Sequence, residues 1–112
     1  MALGEPMARR YRSILPGHPH HIIQRGNRHQ RVFFSDDDRQ FYLNNLRKCC
    51  DKYAVKLLAY CLMDNHVHLV LLPSTWDALA KAVGETNKTY TRRINKREHW
   101  RGFLWQGRFL SF

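Results

Sequence analysis

Leu62-Met63-Asp64-Asn65-His66-Val67-His68-Leu69-Val70-Leu71-Leu72 is the stretch from which the fold can be read. Upstream, residues 55–63 are rich in β-branched, aliphatic and aromatic side chains, and residues 66–72 repeat that character. Asp64-Asn65 between them is a tight-turn pair, so the two runs predict a β-hairpin. Alternate side chains of a strand share a face. His66 and His68 therefore point one way, and Val67, Leu69 and Leu71 the other. Their Cα atoms are expected roughly 6.5–7 Å apart, a span that lets both imidazoles converge on one ion. Neutral imidazole is a common ligand for divalent transition metals. A His-x-His pair on a half-exposed strand is often a bystander. Here both histidines interrupt an otherwise apolar hairpin, and that context favours a metal site. No third protein ligand stands at an obvious spacing.

The 112 residues are enough for one domain with a modest core. A hydrophobic content of 44% with 12% aromatics argues for a folded chain and against disorder. Lys and Arg outnumber Asp and Glu by 19 to 9, a net charge of +10. That bias points to a polyanionic partner, nucleic acid ahead of an acidic membrane surface. No apolar run approaches the ~20 residues of a membrane span, and the N-terminus shows no signal-peptide core. Cys49, Cys50 and Cys61 make no disulfide framework, and adjacent cysteines lack zinc spacing. The thiols read as packing residues in a reducing cytoplasm.

Residues 1–13, with Arg9, Arg10 and Arg12, read as a basic arm before a domain at 14–112. Residues 20–25 predict a first strand, broken at Gly26-Asn27 and followed by a basic loop at 28–31. Val32-Phe33-Phe34 can anchor that loop to the core. Ser35 before Asp36, Asp37 and Asp38 predicts a helix start, the hydroxyl capping free N–H groups and the carboxylates suiting the helix dipole. Capping is the simpler account of the acidic triplet than metal binding. Tyr42, Leu46, Cys49 and Tyr53 then recur at helical spacing. After the hairpin, Ser74 or Thr75 is expected to cap a second helix with the stripe Trp76, Leu79, Val83, Tyr90 and Ile94, and Gly84 as a weak middle. Residues 102–110 read as a last strand or extended segment. The order βαββαβ predicts an α+β, ferredoxin-like antiparallel sheet with two helices on one face. His66 and His68 then look out from its uncovered side.

Five motifs occur together and in order: Pro16-Gly17, residues 21–27 around Arg25-Gly26-Asn27, Tyr60-Cys61-Leu62-Met63, Asn65-His66-Val67-His68-Leu69 and Leu104-Trp105-Gln106-Gly107-Arg108-Phe109. Each is weak alone, and five in register are specific. The chain resembles the single-tyrosine HUH transposases of the insertion-sequence type, above all the REP-associated tyrosine transposases. The resemblance implies a domain that cleaves and joins single-stranded DNA and imperfect DNA hairpins, working as a monomer or homodimer. It implies that His66 and His68 hold Mg²⁺ or Mn²⁺, which polarises the scissile phosphate. A tyrosine hydroxyl then attacks, leaving a 5′-phosphotyrosine link and a free 3′-OH. In the family that tyrosine, and an amide or carboxylate completing the metal site, lie on a helix that here would begin after Phe112. None of the five tyrosines matches it, and Tyr90 belongs to the apolar stripe. The family's Met-Pro-Asn-His turn is here Met63-Asp64-Asn65-His66, with Asp64 as turn-maker.

Charge and placement nominate Arg25, Asn27, Arg28, Arg92, Arg93, Lys96, Arg97 and Arg108 as DNA contacts, since arginine's planar fork suits phosphate. His18, His20, His21, His29 and His99 read as loop or strand histidines. Trp100 offers a stacking surface, and Trp105 reads as core. Two rivals stand beside the transposase reading: a DNA-hairpin-binding module without catalysis, and an RNA-binding ferredoxin-like domain.

Overall fold

Alternation decides the first strand: β1 (His20–Arg25) buries His20, Ile22 and Gln24 and turns His21 and Arg25 outward. A computed structural model describes residues 14–112, and the expected basic arm at 1–13 lies outside them. Helix α1 (Asp36–Lys52), β2 (Val55–Leu62), β3 (His66–Pro73), α2 (Ala78–Glu98) and β4 (Leu110–Ser111) follow. The sheet is antiparallel in the order β2-β3-β1-β4, with β1 paired to β3 and β4 and β2 to β3. This is the α+β, βαββαβ arrangement expected of the sequence, with both helices on one face.

Ser35 caps α1, its Oγ accepting from the Asp38 N–H at 3.2 Å. The α1 stripe buries Tyr42, Leu46, Cys49 and Cys50, and the α2 stripe buries Leu79, Val83, Tyr90 and Ile94. Phe33, Tyr42, Tyr90 and Trp105 pack as a group whose ring centroids lie 5.3 to 6.3 Å apart. Burial pushes the Cys50 thiol up to about 12, in keeping with packing.

Two sequence expectations change. Neither Ser74 nor Thr75 caps α2: the helix begins at Ala78, and the Thr75 hydroxyl instead donates to Asp77 Oδ1 at 2.8 Å. Trp76 consequently lies before the helix and is 53% exposed, outside the stripe. The last strand is only Leu110–Ser111, because Gly102 and Gly107 adopt positive φ and break the extended chain. Between them Leu104 and Trp105 turn into the core. The backbone there crosses the end of β1, where the Asn27 N–H donates to Leu104 O and the Gln106 N–H to Arg25 O, each at 2.8 Å. A polar relay centred on the buried Gln24 fastens it. Gln24 Nε2 donates to Gln106 O at 3.0 Å, and Asn87 Nδ2 donates to Gln24 Oε1 at 3.0 Å.

Candidate metal centre and DNA interface

Strand β3 buries Val67, Leu69 and Leu71 completely and leaves His66 and His68 half-buried on the face away from the helices. The two rings turn toward one point: their Nε2 atoms are 3.1 Å apart and their centroids 4.8 Å. Asn65 Oδ1 stands 2.8 Å from His66 Nδ1. An amide oxygen only accepts, so His66 Nδ1 carries the proton and Nε2 the lone pair. On the far side, His21 Nε2 lies 3.0 Å from His68 Nδ1. Burial, then the neighbouring His68 and Arg25, depress the His66 pKa below 6.5 and favour the neutral ring that ligates metals.

Two ligands on adjacent corners of an octahedral ion, each about 2.1 Å from it, are about 3 Å apart. The Nε2 spacing fits that geometry, and both outer ring nitrogens are hydrogen-bonded, as ligating histidines require. Among the described residues no group of three or more His, Cys, Asp or Glu is arranged to hold an ion. Asp64 is engaged elsewhere: Arg39 Nη2 donates to its Oδ1 at 2.5 Å, and its carbonyl accepts from the Val32 and Phe33 N–H groups. It is a turn-maker, as expected.

A family model described as IS200-like transposase matches residues 16–112. The chain belongs to the IS200-like transposase family. The fold agrees with solved structures. One is a REP-associated tyrosine transposase bound to a REP hairpin, with a TM-score of 0.71 and 18% identity, over 100% of this chain and 61% of that one. Another is a candidate transposase from Deinococcus radiodurans R1, with a TM-score of 0.64 and 20% identity, over 100% of this chain and 85% of that one. This chain thus spans about six-tenths of the length of the REP-associated protein. No curated protein matches the sequence.

Within this IS200-like domain the eight residues nominated as DNA contacts fall into three groups, with Lys96 apart. Arg25, directly across from His66 in the β1–β3 register, is exposed beside the histidines. Asn27 and Arg28 follow in a short 3₁₀ turn. Asn27 ties that turn to the Phe103 carbonyl at 3.4 Å. Arg28 and His29 are both left-handed, at φ 56 and 59, and both exposed. Arg92 and Arg108 instead line a cleft of about 1130 Å³ between α2 and the C-terminal segment, with Gln24, Val83, Trp105 and Phe109 in its wall. Lys96 is exposed on α2.

Arg93 and Arg97 form the third group, drawn inward by Asp38. Arg97 grips both Asp38 oxygens at 2.6 and 3.1 Å, and Arg93 lies 4.4 Å over the Phe41 ring with Nε 3.5 Å from Asp38. The acidic triplet is therefore divided: Asp36 and Asp37 are exposed, while Asp38 is fully buried.

The described tyrosines all sit away from the histidine pair. Tyr42 and Tyr90 are fully buried, and burial raises both hydroxyls far above the usual range. The Tyr90 hydroxyl donates to Val32 O at 2.6 Å, and that of Tyr53 to Glu85 at 2.6 Å. Tyr60 pairs across from Leu69, on the opposite face of the sheet from His68. Tyr11 lies outside the described residues.

Sequence reasoning missed His21 and the Asn65 side chain as members of the site. The alternation of β1, which places His21, Ile23 and Arg25 on one face, was the available signal. Its register against β3 was not.

Proposed function

We propose that this domain binds single-stranded DNA and DNA hairpins and carries the metal-binding half of a cleavage and strand-transfer site that works through a phosphotyrosine. What supports this most is the pair of half-buried imidazoles whose Nε2 atoms converge to 3.1 Å on the open face of a transposase-family sheet. His66 and His68 would hold Mg²⁺ or Mn²⁺, and the bound ion would supply Lewis-acid polarisation of the scissile phosphate. Asn65 keeps the His66 lone pair aimed outward. Arg25, one strand away, offers a phosphate contact at the same place, and Arg28 extends it along the 3₁₀ turn. The REP hairpin held by the similar transposase makes a structured single strand the first substrate to try. The nucleophilic tyrosine is expected beyond residue 112, and the setting is cytoplasmic.

A second reading, hairpin binding without chemistry, is favoured for the 112 residues alone by the placement of the described tyrosines. Incubation with Mn²⁺ and a labelled single-stranded hairpin separates the two. With a chain lengthened to include the expected tyrosine, a covalent protein–DNA adduct supports the enzyme, and hairpin retention without one supports the binder. An RNA of the same sequence that outcompetes the DNA would overturn both readings in favour of an RNA-binding domain.

A further inference from the structure

The histidine pair continues into a third ring. From Asn65 Oδ1 to His66 Nδ1 is 2.8 Å, from His66 Nε2 to His68 Nε2 3.1 Å, and from His68 Nδ1 to His21 Nε2 3.0 Å. His21 and His68 also stack, with centroids 5.2 Å apart and planes inclined by 30°. The His21 ring is held there by its backbone. His21 pairs with Val70 on β3, and on its other side exchanges hydrogen bonds with Phe112 at 3.1 and 2.9 Å. Its Nε2 approaches the outer nitrogen of His68, not the point where the two other rings converge, so it stands behind the pair.

Proton counting gives this third ring a task. Asn65 fixes the His66 proton on Nδ1. Without an ion, every contact is satisfied if His68 Nε2–H donates to His66 Nε2 and His21 Nε2–H donates to His68 Nδ1. A cation shared by the two Nε2 atoms needs both lone pairs. His68 must then carry its proton on Nδ1, where His21 Nε2 is placed to accept it. His21 in turn moves its own proton to Nδ1, by exchange with water. All three rings stay neutral, and only the proton positions change.

We propose that His21 is a positioning residue of the metal centre, switching from donor to acceptor toward His68 so that His68 can present a lone pair to the ion. The inference rests on the reading of His66 and His68 as metal ligands.

The test measures Mn²⁺ binding to the 112-residue chain from the EPR signal of the free ion. Wild type is compared with His21→Phe, His21→Gln and His68→Ala, each checked for fold by circular dichroism. Glutamine offers both an acceptor and a donor, so His21→Gln should stay within about threefold of wild type. Phenylalanine keeps a flat ring but offers neither, and His21→Phe should bind about 10- to 100-fold more weakly, the range for lost outer-shell partners. Nitrogen-15 NMR reads the switch directly: adding Zn²⁺, a diamagnetic probe, should move the His68 proton from Nε2 to Nδ1. The proposal is overturned if His21→Phe binds Mn²⁺ as tightly as wild type, or if His68 keeps its Nε2 proton with Zn²⁺ bound. If His68→Ala binds Mn²⁺ like wild type, it is the metal reading itself that fails. Should His21→Phe not fold, the wild-type His68 spectrum and the His21→Gln affinity still decide.

Discussion

Asp38 shows how far a single carboxylate can differ from its neighbours. Burial opposes its charge, but the Arg97 hydrogen bonds, the Phe34 N–H and the charges of Arg97 and Arg93 outweigh that and hold it below its ordinary 3.8. A depressed folded pKa contributes stability that is complete above the unfolded value and is lost as pH falls through the folded one. Asp38→Asn should therefore destabilise the domain by about 2 kcal/mol near neutral pH, a figure kept low because Arg97 is partly solvated. The deficit relative to wild type should shrink progressively as pH is lowered below 3.8, as urea melts at neutral and acid pH would show. Within the run Asp36-Asp37-Asp38 only Asp38 stands four residues before Tyr42, on the apolar stripe. Helical phase against α2 selects it.

Two glycines test the elements in opposite directions. Gly84 lies exposed inside α2, which runs unbroken through it, and a Cβ there would meet nothing within 4 Å. Gly84→Ala should raise stability by about 0.5–1 kcal/mol, read as a higher thermal midpoint. Gly26 is the reverse case. A Cβ would stand 2.2 Å from the Gln30 carbonyl oxygen, backbone that cannot swing aside. The Gly26 N–H donates to Asn65 O at 2.8 Å, so the strain would reach the turn that orients His66. Gly26→Ala should cost about 1–3 kcal/mol, and its amide spectrum should shift at Asn65 and His66 more than in the helices. The glycine in Arg25-Gly26-Asn27 was legible as a break in the strand. That it also lets the 28–31 loop fold back against β1 depends on contacts with residues 30 and 32.

Across the whole molecule a net charge of +10 announces a polyanion but does not say which face receives it. The open face collects Arg25 and the 3₁₀ turn beside the histidines, the cleft collects Arg92 and Arg108, and Asp38 takes up Arg93 and Arg97. If the open face carries DNA, Arg25→Ala and Arg28→Ala should each lower the salt dependence of hairpin binding by about one phosphate contact. Arg97→Ala should leave that slope unchanged and lower stability instead. Filter binding over a salt series, with melting curves on the same proteins, would expose the opposite result. Composition carries the sum of charges, and only packing decides which are spent within the protein.

The sequence by itself determined the strand and helix order, the hairpin, the face shared by His66 and His68 and the apolar stripes. Those properties follow from local periodicity and turn chemistry, which need no distant partner. Tertiary structure alone decided that residues 102–109 cross the end of β1 and leave only Leu110–Ser111 to extend the sheet, that Asp38 binds two arginines, and that His21 reaches His68. Each depends on register or contact between segments far apart in the chain, where the free energy comes from groups that periodicity cannot pair.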